Sequence, residues 1–409
     1  MRGVFPVPRG RALIQEAMDL QTLALLFLGH LVTDINQGAL PALLPFLISE
    51  YHLSYTAAGF IVFACNIAST VVQPVFGHLA DRISTPWLMP AGIFLAGAGL
   101  AVTGIAPGYA WVLAAVMVSG IGVAAFHPQG ARLVNQVSGE KQATAMSLFG
   151  VGGTLGFALG PLIITAAVLH WGLKGSTVLA VPTSLAAVLL TWYLSTRIMG
   201  GGRARIGRTS ESARTSRDAW GPFARLTAIV VTRAIMFYGL NMFVPLYWIH
   251  ALHRSQASGA MALTVFALTS VVGGLLGGPL ADRFGHTRII LAGFCALIPV
   301  APLLVEAQSE PAALAMLAPI GLALSTTYSP LLILGQKYLP NHIGFSSGVT
   351  LGVAVTIGGM TTPLLGQVAD HYGLSAALAV LGLVPILSAG LALTLPRPES
   401  VHAHPRPTA

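Results

Sequence analysis

Charge is what this sequence lacks most. Only 8% of its 409 residues are Asp, Glu, Lys or Arg, against 55% apolar, whereas soluble domains carry about a quarter charged residues. So few charges cannot cover a water-facing surface, which excludes an ordinary soluble fold. Cysteine is nearly missing as well. Cys65 and Cys295 are the only two, each inside an apolar run and in different halves of the chain, so a disulfide framework is excluded. No Gly-x4-Gly-Lys-Ser/Thr loop occurs, because the glycine-rich stretches lie inside apolar runs, and ATP-driven work by this chain is not expected. The 12 histidines are scattered without metal-ligand spacing and the isolated acids form no catalytic pair. No metal, cofactor or enzyme activity is therefore expected.

What is present is a series of apolar runs of about 20 residues or more, the length a helix needs to cross a hydrocarbon core of about 30 Å. They lie near 20–48, 55–77, 87–106, 109–131, 143–169 and 175–196, then 223–250, 258–280, 287–306, 311–335, 344–368 and 373–395. Twelve crossings return both termini to one side. The first 19 residues are basic and contain proline, but the run after them is too long for a signal-peptide core, contains His30 and Asp34, and shows no cleavage site. It reads as a retained first helix.

The formal net charge is +8 and the pI about 9.9, but in such a chain basic residues are first a topology signal. With the N-terminus inside, Lys174 and Arg254 fall outside and Arg233 within a span, leaving 18 of the 21 Lys and Arg residues on the cytoplasmic side. No soluble basic domain remains to bind nucleic acid. Residues 200–221, with Arg203, Arg205, Arg208, Arg214 and Arg217 among Ser, Thr and Gly, read as a basic linker between 1–199 and 222–409. Topology alone explains its charge, and lipid binding is the other reading.

A repeat joins the two parts. Gly77-His-Leu-Ala-Asp81-Arg82 after span two recurs as Gly278-Pro-Leu-Ala-Asp282-Arg283 after span eight, at an offset of 201. Gly150, Thr154, Gly156 and Pro161 in span five match Gly352, Thr356, Gly358 and Pro363 in span eleven at an offset of 202. Two matches at nearly one offset indicate a duplicated six-helix unit.

The duplicated Gly-x-Leu-Ala-Asp-Arg sequence resembles the signature loop of the major facilitator superfamily. The second copy extends through Phe284 and Gly285 to Arg288, whereas the first lacks the later basic residues. The resemblance implies an all-α polytopic membrane protein of twelve helices in two pseudo-symmetric six-helix bundles. It also implies that both loops bias closure of the inner face, although a tight turn obeying the topology rule explains Gly and Arg singly. Gly152, Gly156 and Gly160 put small residues on one helical face for a neighbour to approach, and Pro161 bends the helix. The stretch resembles the glycine-proline motif of antiporters in this superfamily, and ordinary packing uses the same spacing.

His30-Leu-Val-Thr-Asp34, Gln73-Pro-Val-Phe-Gly77, Pro86-Trp87, Phe126-His127-Pro128, Gly150 to Gly156, Leu339-Pro340 and Ala369-Asp370-His371 together resemble the fosmidomycin-resistance family of bacterial efflux proteins. This implies export of a small toxic or anionic compound from the inner membrane, driven by proton entry, with rocker-switch alternating access. Protons, a small-molecule substrate and membrane lipids are the expected partners, and the chain is expected to work as a monomer. Uptake by a uniporter or proton symporter is the alternative on the same fold, and a non-transporting sensor or scaffold the remote one.

Charged groups at membrane depth are expensive, so those present are the functional candidates. His30, Asp34 and Gln37 share a face of span one. Asp34, assisted by His30, is the proton-coupling candidate, or the two form a structural interhelical pair. Arg233 in span seven, with Asn241 two turns on, has three readings: an anion site, a counter-charge to Asp34, or a cytoplasmic snorkel. His127 precedes Pro128, where a helix break would line the inner vestibule, or it is satisfied by a neighbouring helix. Arg132 reads as an interfacial anchor, and Tyr247 and Trp248 as part of an aromatic belt.

Overall fold

The computed structural model describes residues 18–82, 87–138, 142–199, 218–307, 309–342, 345–346, 349–350 and 354–396. Described residues in regular structure are helical: α1 Leu20–Tyr51, α2 Tyr55–Arg82, α3 Leu88–Val102, α4 Tyr109–Val137, α5 Gln142–Trp171, α6 Ala180–Met199 and α7 Trp220–His250. Then follow α8 Gln256–Phe284, α9 His286–Glu306, α10 Glu310–Thr326, α11 Tyr328–Tyr338, α12 Ala354–Met360, α13 Thr362–Tyr372 and α14 Leu374–Leu393. Eleven segments of the described residues, α10 with α11 counted as one, are long and apolar enough to cross a membrane, and α12 with α13 form most of the described part of the twelfth.

Helix pairing repeats between the parts. α1 packs on α5, α2 on α4 and α3 on α4 and α6; six spans later α7 packs on α12, α8 on α10 and α9 on α10 and α14. The duplicated sequence thus builds two six-helix bundles of one design. Apolar side chains remain exposed along α6 (Leu185, Val188, Trp192) and α14 (Leu383, Ile386, Leu387), a surface suited to lipid rather than water.

Two spans depart from the expected single helix. Span ten breaks at Thr327, three residues before Pro330. Pro330 has no N–H to close a bond to Thr326, so the ladder stops there. Span eleven breaks at Thr361, whose N–H turns back to Gly358 O at 3.3 Å just before Pro363. In contrast, α4 continues through Pro128 to Val137, so the break expected beside His127 does not form.

The bundles meet through α2 with α12 and α13, α5 with α8, and α1 with α7. Hydrogen bonds also join the bundles, some within the helices and some at the end carrying the 51–55 turn. Thr264 Oγ1 donates to Ala158 O at 3.0 Å, and Thr362 Oγ1 to Gly59 O at 3.1 Å. At that end Asp370 of α13 accepts from Tyr55 N at 2.7 Å, Thr56 N at 3.0 Å and Thr56 Oγ1 at 2.6 Å. Ser54 supplies the next partner, its Oγ accepting from Ala57 N at 3.1 Å. The orphan donors of α2 are therefore capped jointly by its own half and the other.

Tyr247 and Trp248 do not form an aromatic belt. They are buried, the Tyr247 hydroxyl donating to Val305 O at 2.9 Å. In a lipid-soluble bundle an aromatic ring suits the protein interior as well as the interface, and here α7 turns both inward.

Candidate functional site

The sequence places His30, Asp34 and Gln37 on one face of α1, and that face points at α4 and α5. Asp34 is buried, yet its carboxylate has three partners. His30 Nε2 lies 3.2 Å from Oδ2, His127 Nε2 lies 3.2 Å from Oδ1, and Gln37 Nε2 donates to Oδ1 at 2.7 Å. The other nitrogen of His30, Nδ1, lies 2.7 Å from Phe149 O. A carbonyl only accepts, so Nδ1 must carry hydrogen. One further proton then belongs to the His30–Asp34 contact, residing on Nε2 in an ion pair or on the carboxyl in a neutral pair. His30 also stacks on Phe149, with ring centroids 4.0 Å apart.

The backbone of α5 makes room for this cluster. At Gly153 a Cβ would collide with His30 Nε2, and it would lie 2.6 Å from Asp34 Oδ2, so any side chain there displaces the pair. The flanking Gly152, Gly156 and Gly160 approach the carbonyls of Phe27, Leu31 and Ile35, which seats α5 directly on α1 around Pro161. In the second bundle Gly358 approaches Ala234 of α7, and Pro363 lies against Gly59 of α2.

His30, Asp34 and His127 bring their ligand atoms within 4.8 Å of one another, a grouping that spacing did not reveal because His127 is 93 residues from Asp34. The bonds to Asp34 account for this arrangement without an ion.

Arg233 comes from the other bundle. Its Nε donates to Leu324 O at 3.2 Å and its Cζ lies 4.7 Å from the centre of the Tyr328 ring. The break after Thr326 produces both contacts, since it presents Leu324 O and Tyr328 toward α7. Among the described residues no carboxylate pairs with Arg233. Arg233 and Asp34 instead line the same cavity of about 300 Å³, one from each bundle, with Thr154, Phe157, Phe237, Tyr238, Ser270 and Ser325 also on its wall. Gln37 and Asn241 line a smaller neighbouring space of about 40 Å³, and Asn241 Nδ2 donates to Phe237 O at 2.8 Å.

The signature sequence is placed as helix rather than loop in its second copy. Gly278, Asp282 and Arg283 close α8, which ends at Gly285 with φ of 95°, a left-handed value that favours glycine. Asp282, Arg283 and Arg288 are exposed. Gly77, Asp81 and Arg82 lie outside the residues whose side chains are described.

The sequence profile of the Major Facilitator Superfamily matches residues 26–363. The chain belongs to the Major Facilitator Superfamily. It is 30% identical over 379 residues to the MFS-type transporter YfnC of Bacillus subtilis, covering 91% of this chain and 92% of that one. To the fosmidomycin resistance protein of Escherichia coli it is 27% identical over 380 residues, covering 92% of each. Its fold matches a bacterial homologue of the human lysosomal transporter Spinster, captured inward-facing and occupied. The TM-score is 0.78 at 15% identity, covering 92% of this chain and 96% of that one. The nucleoside transporter NupG matches at a TM-score of 0.72 and 13% identity, covering 91% and 99%. This superfamily member is a multi-pass membrane transporter and not an enzyme.

Sequence reasoning missed Phe149, Gly153 and Tyr328. Tyr328 had a signal: Ser325-Thr-Thr-Tyr-Ser-Pro330 is a polar run inside an apolar span, which in membrane helices marks backbone that lines a cavity. Phe149 contributes its carbonyl and a ring stacked on His30, and nothing in its sequence spacing announces either.

Proposed function

We propose that the chain is a proton-coupled antiporter of the bacterial inner membrane that exports a small anionic compound. One observation carries the reading. One cavity between the bundles holds a guanidinium that has no carboxylate partner among the described residues and, from the other bundle, a carboxylate clasped by two imidazoles. Arg233 is the anion-binding group, its fork of N–H donors matching a carboxylate, phosphonate or phosphate. Asp34 is the proton carrier, with His30 as its proton partner. His127 and Gln37 hold the carboxylate, and Asn241 shapes the adjoining space.

The one-sided excess of basic residues supports a topology with both termini in the cytoplasm. The end closed by Asp370 is then the outer one, and the cavity loads from inside, as export requires. The halves 1–199 and 222–409 rock about the cavity on the 200–221 linker, and the signature residues Asp81, Arg82, Asp282, Arg283 and Arg288 bias closure of the inner face. Binding of anion and of proton favour different states, which couples their movements. The chain acts as a monomer among lipids. The likeness to the fosmidomycin resistance protein supports export. Uptake is the second reading, favoured by 24% identity over 402 residues to the hexuronate transporter of Escherichia coli.

The test is accumulation of labelled fosmidomycin and a panel of small anions in cells with and without the chain. Export predicts lowered accumulation of at least one compound, restored by a protonophore and by Asp34→Asn or Arg233→Gln at equal membrane abundance. Raised accumulation establishes uptake. Lowering that persists in the protonophore rejects proton coupling.

A further inference from the structure

Of the polar side chains on the cavity wall, Asp34, Thr154 and Ser270 are already engaged and Arg233 partly so. Thr154 Oγ1 donates back to Gly150 O and Val151 O, both at 3.1 Å, and Ser270 Oγ donates to Gly321 O at 3.4 Å. Asp34 receives His30, His127 and Gln37. Arg233 commits its Nε to Leu324 O, and among the described residues its NH2 groups meet no acceptor, so they can turn to an anion. Beyond these, the Ser325, Tyr238 and Tyr328 hydroxyls are the neutral polar groups on the wall.

The rest of the wall is apolar, with the rings of Phe157, Phe237 and Phe266 set among small residues such as Ala234 and Ala267. Phe237 sits at its centre, with ring centroids 5.8 Å from Phe157, 6.1 Å from Phe266 and 5.5 Å from Tyr238. Phe157 belongs to the first bundle and the others to the second, so a planar ligand here would touch both. The cavity volume, about 300 Å³, is roughly twice the ~150 Å³ known to accept a benzene molecule.

We infer, building on the anion-export reading, that the substrate class is a small anion with a planar, apolar or aromatic body, its acid group on Arg233 and its ring against Phe237. A polyhydroxylated acid of the same charge is disfavoured. Its hydroxyls would lose water and find few partners, and unpaired buried hydroxyls are expensive. Tyr328 serves the selected class twice, fixing the guanidinium by its π face and extending the aromatic wall.

The experiment measures binding of benzoate, benzamide, phenylphosphonate and glucuronate to the full chain in lipid nanodiscs by calorimetry. Benzoate and phenylphosphonate should bind, with glucuronate and neutral benzamide each roughly tenfold or more weaker. Phe237→Ala and the volume-keeping Phe237→Leu should both erode the preference for benzoate over glucuronate, while Arg233→Gln should erode that for benzoate over benzamide. Glucuronate binding as well as benzoate overturns the aromatic class and leaves the anion reading standing. Benzamide equal to benzoate, with Arg233→Gln silent, overturns the anion reading and this inference together. So does failure of every anion to bind.

Discussion

Asp370 offers the sharpest structural test, because one exposed carboxylate bonds the two bundles at the end carrying the 51–55 turn. Replacing it by Ala removes acceptors from Tyr55 N, Thr56 N and the Thr56 hydroxyl. Water can replace each bond at so open a site, so the loss resembles that of a helix cap, about 1–2 kcal/mol. That shifts the balance between closed and open forms of this end roughly 5- to 30-fold. The latch is also pH-dependent. Partial burial pulls the Asp370 pKa up, but the Thr56 hydroxyl, the Thr56 and Tyr55 N–H groups and the Ser54 hydroxyl hold it below the ordinary carboxylate value. A depressed pKa means the latch is fully formed above the ordinary carboxylate range and lost as pH falls through the lowered value. Other titratable groups at this end are Tyr55, against which His250 packs edge-on, the adjacent His371, and Tyr109, whose hydroxyl donates to Ala57 O. The assay is the distance distribution between spin labels at Glu50→Cys and Tyr372→Cys in a background lacking Cys65 and Cys295. Asp370→Ala should populate longer distances at neutral pH, and acid should do the same to the parent but not to the variant. Unchanged distributions within twofold would refute the latch.

Gly153→Ala should cost roughly 1–3 kcal/mol through overpacking and uncouple proton movement, whereas Gly150→Ala, with open space around its position, should change thermal stability by under about 0.5 kcal/mol; equal effects would remove the steric explanation. Tyr328→Phe should preserve anion binding, and Tyr328→Ala should weaken it by roughly 2- to 30-fold, the worth of the lost cation–π contact. If the two substitutions titrate alike, the ring does not position Arg233.

The spans, the duplication and the α1 stripe were legible because they depend on local periodicity. Hydrophobic length marks a crossing, and His30 and Asp34 must share a face at four residues' separation. What lay beyond reach was tertiary. His127 meets Asp34 only because α4 packs beside α1, and the spacing that made Gly152, Gly156 and Gly160 conspicuous says nothing of Gly153, which touches the charged pair. Tyr247 and Trp248 were misplaced for a related reason: hydropathy does not distinguish a side chain facing lipid from one facing another helix. The breaks at Thr327 and Thr361 follow from Pro330 and Pro363, but Pro128 has the same chemistry and leaves α4 continuous, so proline alone does not decide where a span divides.

The central claim is that anion and proton share one alternating cavity. The direct measurement is phenylphosphonate and fosmidomycin flux in sealed proteoliposomes under an imposed pH gradient, with luminal pH recorded alongside. Antiport through one cavity requires gradient-driven net flux of at least one probe with opposite proton movement, and in Asp34→Asn the loss of gradient-driven flux while unlabelled-for-labelled exchange continues. Flux in the parent that ignores the gradient, or Asp34→Asn flux that still follows it, contradicts the account.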